Sequence, residues 1–371
     1  MELTRNLEIA FGRGNTAGAP TSQKRVLHVV ESYGGGVASA VDEYAKSLYD
    51  VEHHLMRAVR EGDYVSDSSA RVFTSEQGLS RNPWSAVRQI RRAIQITNPD
   101  VIHAHSSFAG IFARLAHLGR ATAVPLVYTP HGFAFERRDQ NGTQRLAYWA
   151  AEWLQSWNTA TVAGCSERET YLASKLRAHR APVYVPNIVG DSVRADSIRR
   201  LKSNAPHELV IVGQGRLGPA RDPAFFLRVI DEIRCAGIEP RVIWVGGGTK
   251  GWEIAFRNAG IEVTGWKSRE EALALIADSD LYLHTAAWDG FPMALLEAQA
   301  VGTPALARRI PALASAPESL VFDTPTELAE AARGLVQSVG ARDDVDLAWA
   351  TYLAGNTREN QRGQLIKAYG W

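Results

Sequence analysis

Arg25-Val-Leu-His-Val-Val30, running into Glu31-Ser-Tyr-Gly34-Gly35-Gly36-Val37, is a short apolar run that stops at three glycines. A run of this length and composition reads as a buried parallel strand. The glycines allow a tight turn, and a helical stretch follows through about Tyr49. Strand, glycine loop and helix together open a nucleotide-binding α/β domain. The same grammar continues downstream. Pro99-Asp-Val-Ile-His-Ala-His105 predicts a strand feeding a helix around Gly110 to Leu118. Pro125-Leu-Val-Tyr-Thr-Pro-His131-Gly132, Ala160-Thr-Val-Ala-Gly164 and Pro182-Val-Tyr-Val-Pro186 predict three more strands.

A second start appears at Glu208-Leu-Val-Ile-Val-Gly213, and Arg241-Val-Ile-Trp-Val-Gly246-Gly247-Gly248 repeats the passage from strand to glycine. Further strands are expected at Ile261 to Gly265, Asp280 to His284 and Thr303 to Ala307, with a helix at Arg269 to Ala277. Alternation in both halves predicts an α/β protein of two doubly wound, Rossmann-like domains. Residues 25–190 form the first and 205–345 the second, divided by the polar stretch 188–206. Ligands of such folds bind at the carboxyl ends of the strands, so domains facing each other put the site in the cleft between them. Residues 346–371 contain a closing helix, and residues 1–24 read as a disordered tail.

Hydrophobic content of 45% and charge of 22% in 371 residues are ordinary for a globular chain. The 41 basic and 40 acidic residues leave +1, which argues against a nucleic-acid-binding surface spread over the molecule. Cys165 and Cys235 show no metal-ligand spacing and read as reduced thiols in a cytoplasmic protein. No stretch reaches the ~18 apolar residues of a transmembrane helix.

The chemistry concentrates in Asp289-Gly-Phe-Pro-Met-Ala-Leu-Leu-Glu297, followed by Ala-Gln-Ala-Val-Gly302-Thr-Pro304. Pro292 suits the first turn of a helix, because proline lacks an N–H that a helix start leaves unpaired. Asp289 then lies in the preceding loop, and Glu297 about a turn and a half inside the helix. The helix start between them offers free N–H groups and a positive dipole end, an anion site. An anion site flanked by two carboxylates suits a sugar nucleotide: diphosphate at the helix end, hydroxyls on the acids.

This segment resembles the signature of the retaining GT-B glycosyltransferases of the "glycosyl transferases group 1" family. That signature reads Glu-Gly-Phe-Pro/Gly, four residues, Glu, then Ala-x-Ala-x-Gly-x-Pro. Asp289 replaces the first Glu, and its reach is shorter by about 1.3 Å. The resemblance implies that Asp289 contacts the donor sugar and that Glu297 binds the ribose hydroxyls. It also implies donor contacts from Gly290, Phe291, Pro292, Leu295 and Leu296. Gly213-Gln-Gly215-Arg216-Leu217-Gly218-Pro219-Ala220-Arg221-Asp222-Pro223 is similar to the family's Gly-Arg-Leu, three residues, Lys pattern. Arg216 and Arg221 fall on its two cations, which face the diphosphate and oppose leaving-group charge. Gly35 and Gly36 match its glycine loop near the donor phosphate. His131 falls where a family histidine contacts the donor sugar.

Other features stay open between a functional and a structural role. Gly246 to Gly248 either lets backbone approach the nucleotide or turns the chain, and Trp266 either contacts the base or packs. His103 and His105 alternate on one strand and read as structural, with no third ligand spaced to complete a zinc site. Phe133 to Arg138 shapes the acceptor side, where Arg137 and Arg138 would hold a lipid-linked diphosphate. Trp149, Trp153 and Trp157, with Leu146 and Leu154, form one helical stripe whose default is core packing. The sharper alternative is a membrane-interface face.

The expected activity is a retaining, metal-independent transfer of a sugar from a nucleoside-diphosphate sugar, UDP favoured, to the hydroxyl of a sugar or lipid-linked acceptor. No cofactor and no metal are expected, because no Asp-x-Asp lies between strands of the first half. The setting would be polysaccharide or glycolipid assembly, in the cytoplasm at the inner face of the membrane. The rivals are a sugar-nucleotide epimerase of the same fold and a catalytically inactive scaffold.

Overall fold

The computed structural model describes residues 23–58, 72–118, 124–190, 193 and 208–371. Most of the expected tail and most of the polar stretch between the halves lie outside these residues. Lys24, assigned to the tail, is in fact engaged: its backbone carbonyl accepts from Glu52 N–H at 2.8 Å, and its ammonium lies 3.5 Å from Asp100.

The first half contains β1 (Arg25–Val30), α1 (Gly35–Ser47), β2 (Glu52–Arg57), β3 (Ser75–Gly78), α2 (Pro83–Thr97), β4 (Val101–His105), α3 (Ser107–His117), β5 (Leu126–Thr129), α4 (Gly142–Gln155), β6 (Thr161–Gly164), α5 (Glu167–Ala173) and β7 (Val183–Tyr184). Its seven strands pair in parallel in the order β3-β2-β1-β4-β5-β6-β7. The second half contains β8 (Val210–Gln214), α6 (Pro223–Cys235), β9 (Arg241–Val245), α7 (Lys250–Asn258), β10 (Ile261–Val263), α8 (Arg269–Ala277), β11 (Leu281–His284), α9 (Met293–Ala300), β12 (Ala305–Arg308), β13 (Val321–Phe322), α10 (Pro325–Gln337), α11 (Val339–Tyr352) and α12 (Arg358–Tyr369). Its sheet runs β10-β9-β8-β11-β12-β13, again parallel. Both orders reverse beside their first strand, the arrangement that opens a ligand crevice at the strand ends.

β2 and β3 are absent from the expectations above. Glu-His-His-Leu-Met-Arg lacks a continuous apolar run, yet His53 and His54 are buried there, with His53 Nδ1 3.0 Å from His28 Nε2 and His54 Nδ1 2.8 Å from Ser75 Oγ. β3, Ser-Glu-Gln-Gly, is an edge strand defined only by its pairing with β2.

The closing segment also departs from its expected bounds. α11 begins before residue 346 and stays with the second half, where Trp349 Nε1 donates to the Ala305 carbonyl at 2.7 Å. Only α12 returns to the first half. There Ser47 Oγ donates to Gln361 Oε1 at 2.6 Å, and Arg362 meets both carboxylate oxygens of Asp50 at 2.8 Å. Leu365, Ala368 and Tyr369 are buried against Val26, Tyr44 and Val101.

The tryptophan stripe is not core. Of α4 only Glu152 is buried, held by Arg114 at 2.9 Å and the Tyr128 hydroxyl at 2.8 Å. A helix anchored by one buried ion pair, rather than laid along the sheet, leaves its apolar side in solvent. Leu146, Trp149, Trp153, Leu154 and Trp157 are all exposed.

Candidate functional site

The halves enclose a cavity of about 660 Å³. Its walls are the loops at the carboxyl ends of parallel strands and the first turns of the helices that follow them. The first half supplies the Gly34–Gly36 turn after β1, the Ser106–Phe108 turn after β4 and the His131–Gly132 loop after β5. The second half supplies Arg216 and Arg221 after β8, Trp266 to Arg269 after β10, and Asp289 with the start of α9 after β11.

The two halves meet backbone to backbone. A Cβ on Gly290 would lie 2.6 Å from Gly132 N and 2.7 Å from the His131 carbonyl carbon. Real Cβ atoms do not approach backbone so closely, so glycine is required by contact. Gly132 is required by conformation as well, with φ +100°. His131 itself sits at φ 50°, a left-handed conformation that non-glycine residues seldom adopt. Buried Glu169 on α5 clamps this loop, accepting hydrogen bonds from Gly132 N–H and, at 2.9 Å, from Cys165 N–H. Burial pushes the Glu169 carboxyl up to about 7.

Charge in the cleft is paired. Arg221 Nη1 donates to Asp289 Oδ2 at 2.6 Å, and Gly290 N–H donates to Oδ1 at 2.8 Å. Burial alone would raise the Asp289 carboxyl; Arg221 and His284 outweigh it and hold it below its usual value. One turn into α9, Glu297 Oε1 accepts from Arg269 Nε at 3.2 Å. Here burial wins, and the Glu297 carboxyl is raised despite Arg269. Arg269 also lies 4.0 Å from Glu43 on α1, and Arg358 of α12 meets that same carboxylate at 3.1 Å. One acidic side chain of the first half thus ties two arginines from beyond it.

The cavity has a cationic side and an anion-ready helix end. Arg216 stacks over Trp266, guanidinium to ring centroid 4.8 Å. Pro292 is the N-cap of α9 and gives no side-chain cap, so Met293 and Ala294 open the helix toward the cavity. Gly36 faces this end across the cleft: a Cβ there would lie 3.3 Å from Met293 Cγ.

Residues 34–189 match the model of Glycosyltransferase Family 4, and residues 206–338 match that of Glycosyl transferases group 1. The chain is a glycosyltransferase of two matched halves, a Glycosyltransferase Family 4 half followed by a Glycosyl transferases group 1 half. It is 26% identical to an Escherichia coli protein named UDP-Gal:alpha-D-GlcNAc-diphosphoundecaprenol alpha-1,3-galactosyltransferase, over 67% of this chain and 68% of that one. It is 25% identical to a Mycobacterium tuberculosis protein named GDP-mannose-dependent alpha-(1-6)-phosphatidylinositol dimannoside mannosyltransferase, over 78% and 80% of the two chains. The crystal structure of Anabaena HepE in complex with UDP and glucose superposes with a TM-score of 0.72 at 16% identity, covering 94% of this chain and all of that one. The two parallel sheets facing across a cleft are thus the GT-B architecture.

Within this glycosyltransferase the cleft gathers His131, Gly35, Gly36, Arg216, Arg221, Asp289, Phe291, Glu297 and Arg137. Other expected contacts need correction. Leu295 and Leu296 turn into the core and do not line the cavity, because the inward side of α9 packs on its own sheet. Gly290 and Pro292 sit behind the wall, Gly290 as the spacer between halves and Pro292 as the cap of α9. Arg138 is exposed outside the cavity, and Arg137 reaches it while paired with Asp139 at 2.7 Å. Phe133 and Phe135 are buried and stacked at 4.7 Å, so they support the wall formed by Ala134 and Arg137 instead of lining the cavity. Gly246 and Gly248 lie where a Cβ would meet the backbone of the Gly215–Leu217 segment, so they serve close packing. The ring nitrogens of His103 and His105 do gain a third neighbour, His28, all three within 4.8 Å. Glu169, Arg269 and Glu43 were not singled out from the sequence; each acts through a partner on a distant segment.

Proposed function

We propose that this chain is a retaining, metal-independent glycosyltransferase that moves a sugar from a UDP-sugar to an acceptor hydroxyl in polysaccharide or glycolipid assembly. The observation that carries this reading is the meeting of Arg216, Arg221, Asp289, Glu297 and the open end of α9 in one interdomain cavity. The arginines and the helix end offer positive potential to the diphosphate as the bond to the sugar breaks. Both Asp289 oxygens already accept hydrogen bonds, which favours a substrate-orienting carboxylate over a nucleophile. The transfer then runs on one face of the sugar. The anomeric carbon–oxygen bond breaks with its electron pair going to the β-phosphate. The acceptor oxygen bonds to the same carbon, and the acceptor proton passes to the leaving phosphate. UDP is favoured by the named donor of the Escherichia coli relative and by the UDP bound in HepE; the mycobacterial relative, named for GDP-mannose, makes GDP the control.

The acceptor is a lipid-linked sugar at the cytoplasmic face of a membrane. Both relatives carry a lipid in the name of their substrate. α4 and the turn after it support this with three exposed tryptophans, Trp149 and Trp153 on the helix and Trp157 just beyond it, Arg177 over Trp153 at 4.7 Å, and Arg137 and Arg138 at the turn before the helix. Tryptophan favours the headgroup region and arginine the anionic lipids.

A thermal-shift series against UDP, GDP, ADP and their sugar conjugates, with and without magnesium, tests the donor reading. A ligand bound only by the folded state raises the melting temperature. A magnesium-independent rise with UDP is expected. No rise with any nucleotide would leave an inactive scaffold, and conversion of the donor without acceptor would identify an epimerase.

A further inference from the structure

His131 is the cleft end of a row of four histidines that crosses the first sheet. His53 lies on β2, His28 on β1, His105 on β4 and His131 just beyond β5, and these strands are neighbours in that order. The rings meet head to tail. His53 Nδ1 lies 3.0 Å from His28 Nε2, His28 Nδ1 lies 3.1 Å from His105 Nε2, and His105 Nδ1 lies 3.2 Å from His131 Nε2. At the far end His53 Nε2 meets the Leu48 carbonyl oxygen at 3.1 Å.

Proton positions follow from this geometry. Burial disfavours the charged form of all four rings, with His53 and His131 lowered to about 4. Each neutral ring carries one N–H and one lone pair. A carbonyl only accepts, so the proton of His53 is on Nε2 and its Nδ1 is a lone pair. His28 therefore donates from Nε2 and accepts at Nδ1. His105 donates to it from Nε2 and accepts at Nδ1, and His131 donates to His105 from Nε2. Any other assignment sets N–H against N–H or lone pair against lone pair in a buried contact, which is costly. Nδ1 of His131 is left as a lone pair, with no protein partner among the described residues, on a ring that lines the cavity.

We propose that His105, His28 and His53 are positioning residues that hold His131 in its Nε2–H tautomer, so that Nδ1 presents a hydrogen-bond acceptor to a hydroxyl of the sugar in the cleft. The assignment of a sugar hydroxyl rests on the donor reading above; the row itself does not. Its surroundings keep it neutral. Tyr44 stacks with His103 and His131, with centroids 5.9 and 6.2 Å apart, and lies tilted to His105 at 6.0 Å, while Phe73 lies edge-on to His28. His103, beside the row, is bound by the Tyr369 hydroxyl at 2.9 Å and Thr129 Oγ1 at 2.8 Å. Among the described residues the carboxylates acting on the four rings stand at the two ends, Asp50 at His53 and Asp289 at His131; His54 also faces His53. A divalent cation among His28, His103 and His105 would need the lone pairs that the rings already give to hydrogen bonds.

The test is a two-bond proton–nitrogen NMR correlation of nucleotide-free, full-length protein labelled at histidine, at neutral pH. All four rings are expected to carry the proton on Nε2. In His28→Leu, remote from the cavity, His131 is expected to exchange between tautomers. With donor and acceptor, that variant should lose about tenfold in kcat, as loss of a tautomer-fixing partner commonly does, with donor KM little changed. His105→Asn, whose Oδ1 can accept from His131, should recover most of the activity that His105→Leu loses. A wild-type His131 protonated on Nδ1, a His131 signal unmoved in folded His28→Leu, or a stoichiometric metal bound by the histidines overturns the proposal. If His28→Leu does not fold, the wild-type spectrum decides. Nucleotide calorimetry on the same wild-type sample separates the two readings: no binding there, with the NMR result intact, removes the sugar site and leaves the row.

Discussion

Gly290 carries a demand that its neighbours in the motif do not. The carboxylates beside it need reach and charge; Gly290 needs to be small, because the backbone of the other half occupies the place of its side chain. Gly290→Ala must push the His131–Gly132 loop away from Asp289. Displacements of about 1 Å at a reacting centre can cost about a hundredfold in rate, so a loss of that order in kcat is expected with nucleotide affinity largely kept. Wild-type turnover in the alanine variant would show that the halves do not work at this spacing. Glu297 gives a contrasting prediction. Its carboxylate stands in the cleft with one oxygen on Arg269, so Glu297→Ala should act on donor affinity, read by calorimetry. Undiminished affinity would remove its ribose role. Asp289, Arg221 and Glu297 were legible as a set because their types and spacing lie within two short stretches. Glu169 and Arg269 were not, since Glu169 acts on a loop 37 residues away and Arg269 on Glu297, 28 residues on.

At the level of elements, local signals identified the strands that carry apolar runs and glycine stops. α2 carries equally local signals, although it was not among the expected helices: Asn82 caps Ser85 N–H at 3.1 Å, Pro83 opens the helix and Asn98 closes it in a left-handed conformation. Reading failed at β2, where histidines replace the apolar run, and at α4, where periodicity gave a face but not what covers it. α4 carries its own prediction. Trp149→Ser with Trp153→Ser should weaken sedimentation with anionic vesicles at least several-fold, while activity on a soluble acceptor is kept. Equal sedimentation by the wild type and the double variant would end the membrane assignment. The anchor of α4 is a separate matter: Arg114 and Glu152 are buried together, and breaking such a pair typically costs about 3–5 kcal/mol. Glu152 is therefore the wrong residue for testing the apolar face.

Across the whole molecule, buried histidines set the response to acid. Those at 28, 53, 54, 103, 105, 131 and 284 are all lowered, burial first among the causes. Unfolding frees them to bind protons near their ordinary 6.5. Their stabilising share is thus present above that pH and is lost as pH falls toward about 4, where His53 and His131 titrate in the folded protein. Raised carboxyls work the other way, Asp42 at about 6 and Glu169 at about 7, with Glu297 raised as well. The histidines outnumber them, so the melting temperature should drop steadily between about pH 6.5 and pH 4. A flat profile over that range would contradict the neutral, buried histidine layer.

The sequence by itself determined two strand-and-helix halves, the glycine turns at strand ends and the motif that carries the cleft acids. Those features depend on residues within a few positions of one another, where periodicity, capping and backbone freedom act. Only the tertiary structure decided which charge meets which, that Arg221 holds Asp289, that Arg269 ties Glu297 to Glu43, and that three strand histidines and His131, just beyond a fourth strand, align into one row. Parallel strands are joined by long crossovers, so side chains adjacent across the sheet come from segments tens of residues apart. No local pattern encodes their register. Burial then selects which of those meetings are neutral and which are charged, and burial is a property of the assembled core.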